Sequence, residues 1–184
     1  GRADLERRVI RAIGDPDRRF AEDKLRILRA IRFATVLGFS IDAATSEAIR
    51  RSAPDILQVS WERIAMEMEK ILVAPRRAEG LEMIRGHGLL EPLFPECARM
   101  IGTPQPPEYH PEGDVWTHTM LALRALERPP FVVALAVLLH DVGKPATIEF
   151  ADRIRFNGHD KAGARIADEI CERMRLSREQ RDAV

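Results

Sequence analysis

Residues 14–37, GDPDRRFAEDKLRILRAIRFATVL, decide how the first half of this chain folds. The stretch opens with Gly14-Asp15-Pro16-Asp17, a turn sequence that ends the preceding element and starts a helix. From Ala21 onward the apolar residues recur every three to five positions, which is the spacing of a buried helix face. We therefore predict that the chain is helical from Ala21 until Gly38 ends the element. The residues of the apolar face are Leu25, Leu28, Ile31 and Val36.

Asp23 and Arg26 lie three residues apart in this predicted helix, so their side chains should cover the same patch of its surface. A carboxylate beside a planar guanidinium can recognise the hydrogen-bonding edge of a nucleobase, which presents donors and acceptors in one plane. An acid–arginine pair at this spacing is also a common surface ion pair. The spacing alone leaves both interpretations open.

Composition favours an all-α, globular protein. Of 184 residues, 45% are hydrophobic and 32% charged, which excludes a disordered chain, and there is room for one large domain or two small ones. The formal net charge is zero, but residues 1–35 carry ten Lys and Arg against six Asp and Glu. This local excess either faces a phosphate-bearing partner or forms a solvated helix surface.

The cysteines and the apolar runs predict a cytoplasmic protein with no membrane segment. Cys97 and Cys171 show no metal-ligand spacing and are interpreted as reduced thiols. The longest wholly apolar run, residues 131–139, is too short to cross a bilayer. Because the chain starts at Gly1 without an initiator Met or an apolar leader, we expect it to be cut from a longer protein.

A second group of candidate residues lies at the end of the apolar run FVVALAVLLH, which predicts a buried helix. That helix would end at His140 and Asp141, and buried polar groups need partners. A divalent ion supplies one, because mixed His and Asp ligands suit Zn, Mn, Fe, Ni or Mg, with His118 as a third ligand. Alternatively, His140 caps its own helix and Asp141 bonds to nearby amides.

The stretch GDPDRRFAEDKLRILRAIRFA resembles the neck of the class II tRNA nucleotidyltransferases, the CCA-adding enzymes and bacterial poly(A) polymerases. In that family an E-D-x-x-R motif binds the base of the incoming CTP or ATP, and it maps here to Glu22, Asp23 and Arg26. The resemblance also implies a supporting role for further neck residues, including an E-R-x-x-x-E segment. These residues are Arg19, Arg29, Glu62, Arg63 and Glu67.

The same resemblance predicts the domain organisation. Residues 1–13 would be the end of a nucleotidyltransferase head, with a strand leading into the neck, and residues 14–100 a neck and body that bind nucleotide and RNA. Residues 101–113, which contain four prolines and two glycines, would be a linker, and residues 114–184 a second helical domain. The family's head holds two Mg²⁺ ions on a carboxylate pair, and we predict no catalytic residue for nucleotidyl transfer in this chain.

The second half resembles the HD phosphohydrolase superfamily through three segments, HPEGDVWTHT, LLHDVGKP and FNGHDKAGA. The family's H…HD…D metal site maps to His118, His140 and Asp141, with the last Asp expected beyond Val184. His159 matches a position that completes a second metal site or contacts phosphate. Lys144 is a further candidate for phosphate contact.

Taken together, the resemblances predict the C-terminal part of an RNA 3′-end nucleotidyltransferase with RNA (a tRNA 3′ end), ATP and CTP as partners. The HD part would be a metal-dependent phosphodiesterase or phosphatase using Mn²⁺, Ni²⁺, Zn²⁺ or Mg²⁺. CCA addition, poly(A) addition and the oligomeric state are not distinguished. Two alternatives remain, a stand-alone HD hydrolase with a helical extension and a non-catalytic RNA-binding fragment.

Overall fold

Helices form almost all of the regular structure in the computed structural model, which describes residues 1–184, and the all-α prediction is confirmed. The chain divides into two units, Gly1–Leu93 and Phe94–Val184. This division falls before residues 101–113, which form neither helix nor strand. The domain bounds derived from the sequence stay a prediction.

The first unit is a helical bundle with one very short parallel sheet, in which Val9 pairs with Ser40 and Ile10 with Ile41. The strand expected to lead into the neck is limited to these two residues, because the segment before it is helical. The elements are α1 Arg2–Glu6, β1 Val9–Ile10, α2 Pro16–Glu22, α3 Leu25–Leu37, β2 Ser40–Ile41, α4 Ala43–Ser52, a 3₁₀ segment Ala53–Gln58, α5 Trp61–Leu72, α6 Arg77–Gly86 and α7 Leu90–Leu93.

The predicted continuous helix from Ala21 is broken at Asp23, and this part of the prediction is wrong. Asp23 has an extended backbone (φ −155°, ψ 105°) and lies between α2 and α3. Its Oδ1 accepts a hydrogen bond from the backbone N–H of Leu25 at 3.1 Å. Asp favours such local bonds to the backbone over helix interiors, which explains why the helix stops there and restarts.

Helix α3 is the centre of the first unit and packs against α5 and α6. Ile27, Leu28 and Ile31 are fully buried on it, whereas Val36 is half exposed, so the buried face includes Ile27, which was not predicted, and excludes Val36, which was. Helix α6 approaches α3 so closely at Gly80 that a Cβ there would lie 2.6 Å from Thr35 Oγ1. A glycine is therefore required at this crossing.

The second unit is also helical, with one small antiparallel hairpin in which Glu149 pairs with Arg155. Cys97 and Cys171 are both free and buried in it. No helix of the chain is both long and apolar enough to cross a membrane. The elements are α8 Pro95–Ala98, α9 Val115–Ala125, α10 Phe131–Leu139, α11 Lys144–Thr147, β3 Ile148–Phe150, β4 Ile154–Phe156, α12 His159–Arg173 and α13 Arg178–Asp182.

Helix α10 carries the predicted metal ligands at its C-terminal end, but it is buried on one face only. Leu135 and Leu138 are buried against the core, whereas Val133 is 42% exposed. The predicted buried helix is therefore buried on one face and partly exposed on the other, because a uniformly apolar sequence does not specify which face meets the core. After α10 the chain passes α12 at Gly143, where a Cβ would lie 2.2 Å from the backbone oxygen of His159.

Candidate nucleotide and metal sites

The structure pairs Arg26 with Glu22 rather than with Asp23. Arg26 Nη1 lies 2.6 Å from Glu22 Oε2 and also donates to the backbone oxygen of Arg19 at 2.9 Å. Arg19 Nη1 contacts the same Glu22 oxygen at 2.8 Å. The hydrogen bond from Arg26 is the main reason why the pKa of Glu22 is lowered. Glu22 therefore holds two guanidinium groups in place from the end of α2.

Asp23 takes a different partner because the helix break turns it towards α5. Its Oδ2 lies 3.2 Å from Arg63 Nη2. Asp23 and Arg26 thus do not form the predicted pair on one helix face. The two motif acids instead fix separate arginines, Glu22 fixing Arg26 and Asp23 fixing Arg63.

Glu67 is not a surface charge on α5. Its side chain is buried, and Oε2 lies 2.6 Å from Nε of Arg32 on α3. Arg63 and Glu67 therefore tie α5 to the α2–α3 region at two points. Glu62 lies in the first turn of the same helix, where a negative charge interacts favourably with the helix dipole.

A cleft of about 330 Å³ lies beside the motif, and arginine and phenylalanine side chains line it together with aliphatic ones. Phe33 is 40% exposed at this cleft and carries the Arg32 guanidinium 4.0 Å from its ring centroid. Guanidinium groups bind phosphate oxygens, and an aromatic face can stack on a base. The arginines and phenylalanines that line the cleft are Arg11, Arg19, Arg26, Arg29, Phe20 and Phe33.

The single Asp-x-Asp spacing in the chain, Asp15 and Asp17, has a structural role. Asp15 caps α2 by accepting a hydrogen bond from the backbone N–H of Asp17 at 3.0 Å. The Asp17 carboxylate forms an ion pair with Arg51 of α4 at 2.7 Å. Both carboxylates are therefore engaged in holding helices.

In the second unit, the structure brings together the side chains of His118, His140 and Asp141. The candidate ligand atoms of these three residues all lie within 4.8 Å of one another. His140 Nε2 is 3.1 Å and His118 Nε2 is 3.9 Å from Asp141 Oδ2. Helix α9 supplies His118, and the end of α10 supplies the adjacent pair.

Hydrogen bonds on the far side of each ring fix which imidazole nitrogen faces Asp141. His140 Nδ1 lies 2.8 Å from the backbone oxygen of Val137, and His118 Nδ1 lies 2.6 Å from Glu112 Oε1. Both of these oxygens can only accept, so each neutral ring carries its proton on Nδ1. The lone pairs on both Nε2 atoms are therefore directed at an anionic oxygen.

This donor set fits a divalent cation. Two imidazole lone pairs and a carboxylate oxygen repel one another unless a proton or a metal ion lies among them. In the absence of a metal a proton relieves this repulsion, and the hydrogen bond with Asp141 accordingly raises the pKa of His140. Burial by itself would raise the pKa of Asp141, but its interaction with His140 and Lys144 holds it well below its usual range.

Lys144 borders the site and is buried. Its Nζ lies 2.8 Å from Asp141 Oδ2 and donates to Gln105 Oε1 at 2.7 Å. His159 lies at the start of α12, where its Nδ1 is 2.8 Å from the backbone oxygen of Phe156. It is not among the residues whose ligand atoms converge on Asp141.

The residues that sequence reasoning missed come from the segment predicted to be a linker. Glu112 contacts both His118 and His110, at 2.6 and 3.0 Å, and Gln105 is buried against Lys144. A hydrogen bond with its own backbone, followed by the hydrogen bonds with His110 and His118, lowers the pKa of Glu112 to about 2. An acid two residues before the helix cap Asp114 is the one signal that could have indicated this placement.

Two family models match the chain. Residues 38–101 match the family described as "Probable RNA and SrmB- binding site of polymerase A". Residues 110–184 match the HD domain. The Glu22–Arg26 motif lies before both matches, and the cluster of His118, His140 and Asp141 lies inside the second. The chain therefore carries a segment that matches this polymerase A family model, followed by an HD domain.

Known proteins match the whole chain. It is 38% identical over 190 residues to the multifunctional CCA protein of Thioalkalivibrio sulfidiphilus, covering 99% of this chain and 45% of that protein. It is 37% identical to that of Pseudomonas aeruginosa, covering 97% and 44%. The crystal structure of the Bacillus stearothermophilus CCA-adding enzyme in complex with CTP is 26% identical, with a TM-score of 0.59, covering 100% of this chain and 46% of that one.

The chain is homologous to the C-terminal part of the multifunctional CCA proteins. It spans about 45% of the length of the curated relatives it matches.

Proposed function

We propose that this chain is the base-selecting and RNA-contacting part of a nucleotidyltransferase that extends a tRNA 3′ end with CTP and ATP. The observation that carries this proposal is the Glu22–Arg26 pair at an arginine-lined cleft, in a chain aligned along 99% of its length with multifunctional CCA proteins. The names of these relatives favour CCA addition over poly(A) addition. Nucleotidyl transfer itself would use two Mg²⁺ ions in a separate head domain.

In this proposal Arg26 faces the base. Its guanidinium presents parallel donors in one plane, and Glu22 holds it by an ionic hydrogen bond of 2.6 Å. Asp23 and Arg63 fix the helix break from which Arg26 projects, and Arg19 and Arg29 line the same cleft. The cytoplasm is the proposed location.

The test is CTP and ATP binding to the chain by isothermal titration calorimetry. Arg26→Ala should weaken binding by about 10²-fold, because a site built on hydrogen bonds loses them with the donor. Arg2→Ala is the matched control, since this exposed arginine pairs only with Glu6 of its own helix. Equal affinities for the wild type and Arg26→Ala would reject the assignment.

For the second unit we propose a metal-dependent phosphodiesterase or phosphatase. His118, His140 and Asp141 would hold Mn²⁺, Ni²⁺, Zn²⁺ or Mg²⁺, and the bound ion would supply a hydroxide and polarise the phosphate ester. The convergence of three ligand atoms within 4.8 Å carries this proposal. Lys144 holds the Asp141 carboxylate in place from one side, and His159 is proposed to contact phosphate.

Hydrolysis of bis-p-nitrophenyl phosphate in each of the four metals tests this assignment. Asp141→Asn should abolish metal-dependent turnover, whereas Asp160→Asn on the first turn of α12 should leave it unchanged. Turnover retained in Asp141→Asn would reject the site.

A further inference from the structure

We propose that Glu112 is a positioning residue for this metal site, holding His118 in the one tautomer that presents Nε2 towards Asp141. The proposal rests on the metal-binding function proposed above. It concerns a residue from the turn before α9 whose carboxylate lies on the side of His118 away from Asp141.

The geometry assigns the proton on His118. Glu112 Oε1 is 2.6 Å from His118 Nδ1, which is a short, charge-assisted distance. An ionised carboxylate only accepts, so Nδ1 must donate and the lone pair lies on Nε2. A neutral imidazole free in water is not restricted to this tautomer. A carboxylate behind a metal-binding histidine also raises the basicity of its ligand nitrogen.

The backbone holds Glu112 at this place. Asp114 caps α9 by accepting from the N–H of Thr117 at 2.8 Å, and its second oxygen accepts from the N–H of Gly102 at 2.6 Å. His118 follows in the first turn of the same helix, with its N–H bonded to the backbone oxygen of Asp114. The turn and the histidine are therefore both fixed at the start of α9, and the Glu112 side chain extends from the turn to His118.

His110 shares the same carboxylate oxygen at 3.0 Å and packs edge-on against His118, with ring centroids 4.8 Å apart. It limits the rotation of both groups. His110, Glu112 and His118 could instead bind an ion themselves, and in that case His118 would use Nδ1. The two arrangements differ in which nitrogen of His118 becomes a ligand.

The first measurement is made without metal. Long-range ¹H–¹⁵N spectra of the full chain should show His118 as the Nδ1–H tautomer in the wild type. Glu112→Ala should shift His118 towards Nε2–H, while Glu112→Gln should retain Nδ1–H because its amide oxygen still accepts. Glu108→Gln, an exposed glutamate of the same segment, is the matched control and should resemble the wild type.

The second measurement is Zn²⁺ affinity by calorimetry on the same proteins. Glu112→Ala should raise the dissociation constant about 10- to 100-fold, Glu112→Gln by less, and Glu108→Gln not at all. An unchanged His118 tautomer in Glu112→Ala overturns the proposal, as does Zn²⁺ bound through His118 Nδ1. If the wild type binds no metal but Glu112→Ala still changes the tautomer, the metal function fails and the placement of His118 by Glu112 stands.

Discussion

Two helices of this protein, one in each unit, end in a histidine that is attached in the same way. His87 follows α6, and its Nδ1 lies 2.7 Å from the backbone oxygen of Met83. His140 follows α10, and its Nδ1 lies 2.8 Å from the backbone oxygen of Val137. In both rings the helix carbonyl accepts from Nδ1 and leaves the Nε2 lone pair free to meet another group.

The two ends differ in what meets that lone pair. His87 Nε2 faces the Ser46 hydroxyl at 2.8 Å, which can donate to it, whereas His140 Nε2 faces the Asp141 carboxylate at 3.1 Å. Burial accordingly lowers the pKa of His87, and Asp141 raises that of His140. Of these two histidines, only His140 has its second nitrogen facing a group that cannot donate, and such an arrangement suits a cation.

The largest expected effect is a difference in folding stability between two glycine substitutions, one after each of these helices. At Gly143 a Cβ would lie 2.2 Å from His159 O and 2.5 Å from Gly163 N, which are backbone atoms that cannot step aside. Gly143→Ala should therefore lower the free energy of unfolding by about 3 kcal/mol or more. At Gly88 there is space, and only the left-handed φ of +74° opposes a side chain.

Gly88→Ala should therefore cost only about 1–2 kcal/mol. Urea unfolding of both variants beside the wild type is the measurement. If Gly143→Ala were the milder substitution, the close passage of the chain against α12 would be wrong.

The next effect is the response to metal. A hundredfold excess of Mn²⁺ over its dissociation constant should stabilise the wild type by about 2.7 kcal/mol, since only the folded state offers the site. His87→Gln should retain this gain and His140→Ala should lose it. Melting temperatures with and without Mn²⁺ measure both, and equal gains in the two variants would show that His140 is not a ligand.

Much of the first unit could be predicted from the sequence because its signals are local. Ile64, Met68, Ile71 and Leu72 have the spacing of a buried helix face, and all four are buried on α5. Gly38 ends α3 in the left-handed conformation, as predicted. The break at Asp23 could not be predicted, because it depends on a side chain that bonds to the backbone two residues on. As a result of this break, Arg26 pairs with Glu22 and not with Asp23 as predicted.

The second-unit cluster was predicted in part. The resemblance indicated His118, His140 and Asp141, and the structure places their ligand atoms together. Glu112 was missed because a run rich in proline and glycine resembles a linker, whatever its acids contact. Only the contact of the Glu112 side chain with His118 in the first turn of α9 distinguishes the two.

The smallest expected effect concerns His87 at the end of α6, where both ring nitrogens have hydrogen-bond partners. Its side chain is 8% exposed, and burial lowers its pKa below the value of about 6.5 expected in the unfolded chain. Below that value the unfolded chain therefore binds the proton more readily than the folded one. Stability contributed by neutral His87 is complete above about pH 6.5 and is lost as the pH falls towards the lowered pKa.

The loss is limited to about 1.4 kcal/mol for each pH unit that separates the two pKa values. We expect His87→Gln to flatten the decline of unfolding free energy between pH 7 and pH 5, measured by urea unfolding in EDTA. Ser46→Ala should leave the decline in place, because it removes the donor to Nε2 without relieving the burial of the ring. His159→Gln in the second unit is the control. A decline of the same slope in His87→Gln would mean that His87 is not the group that titrates, and the contrast between the two helix ends would then rest on geometry alone.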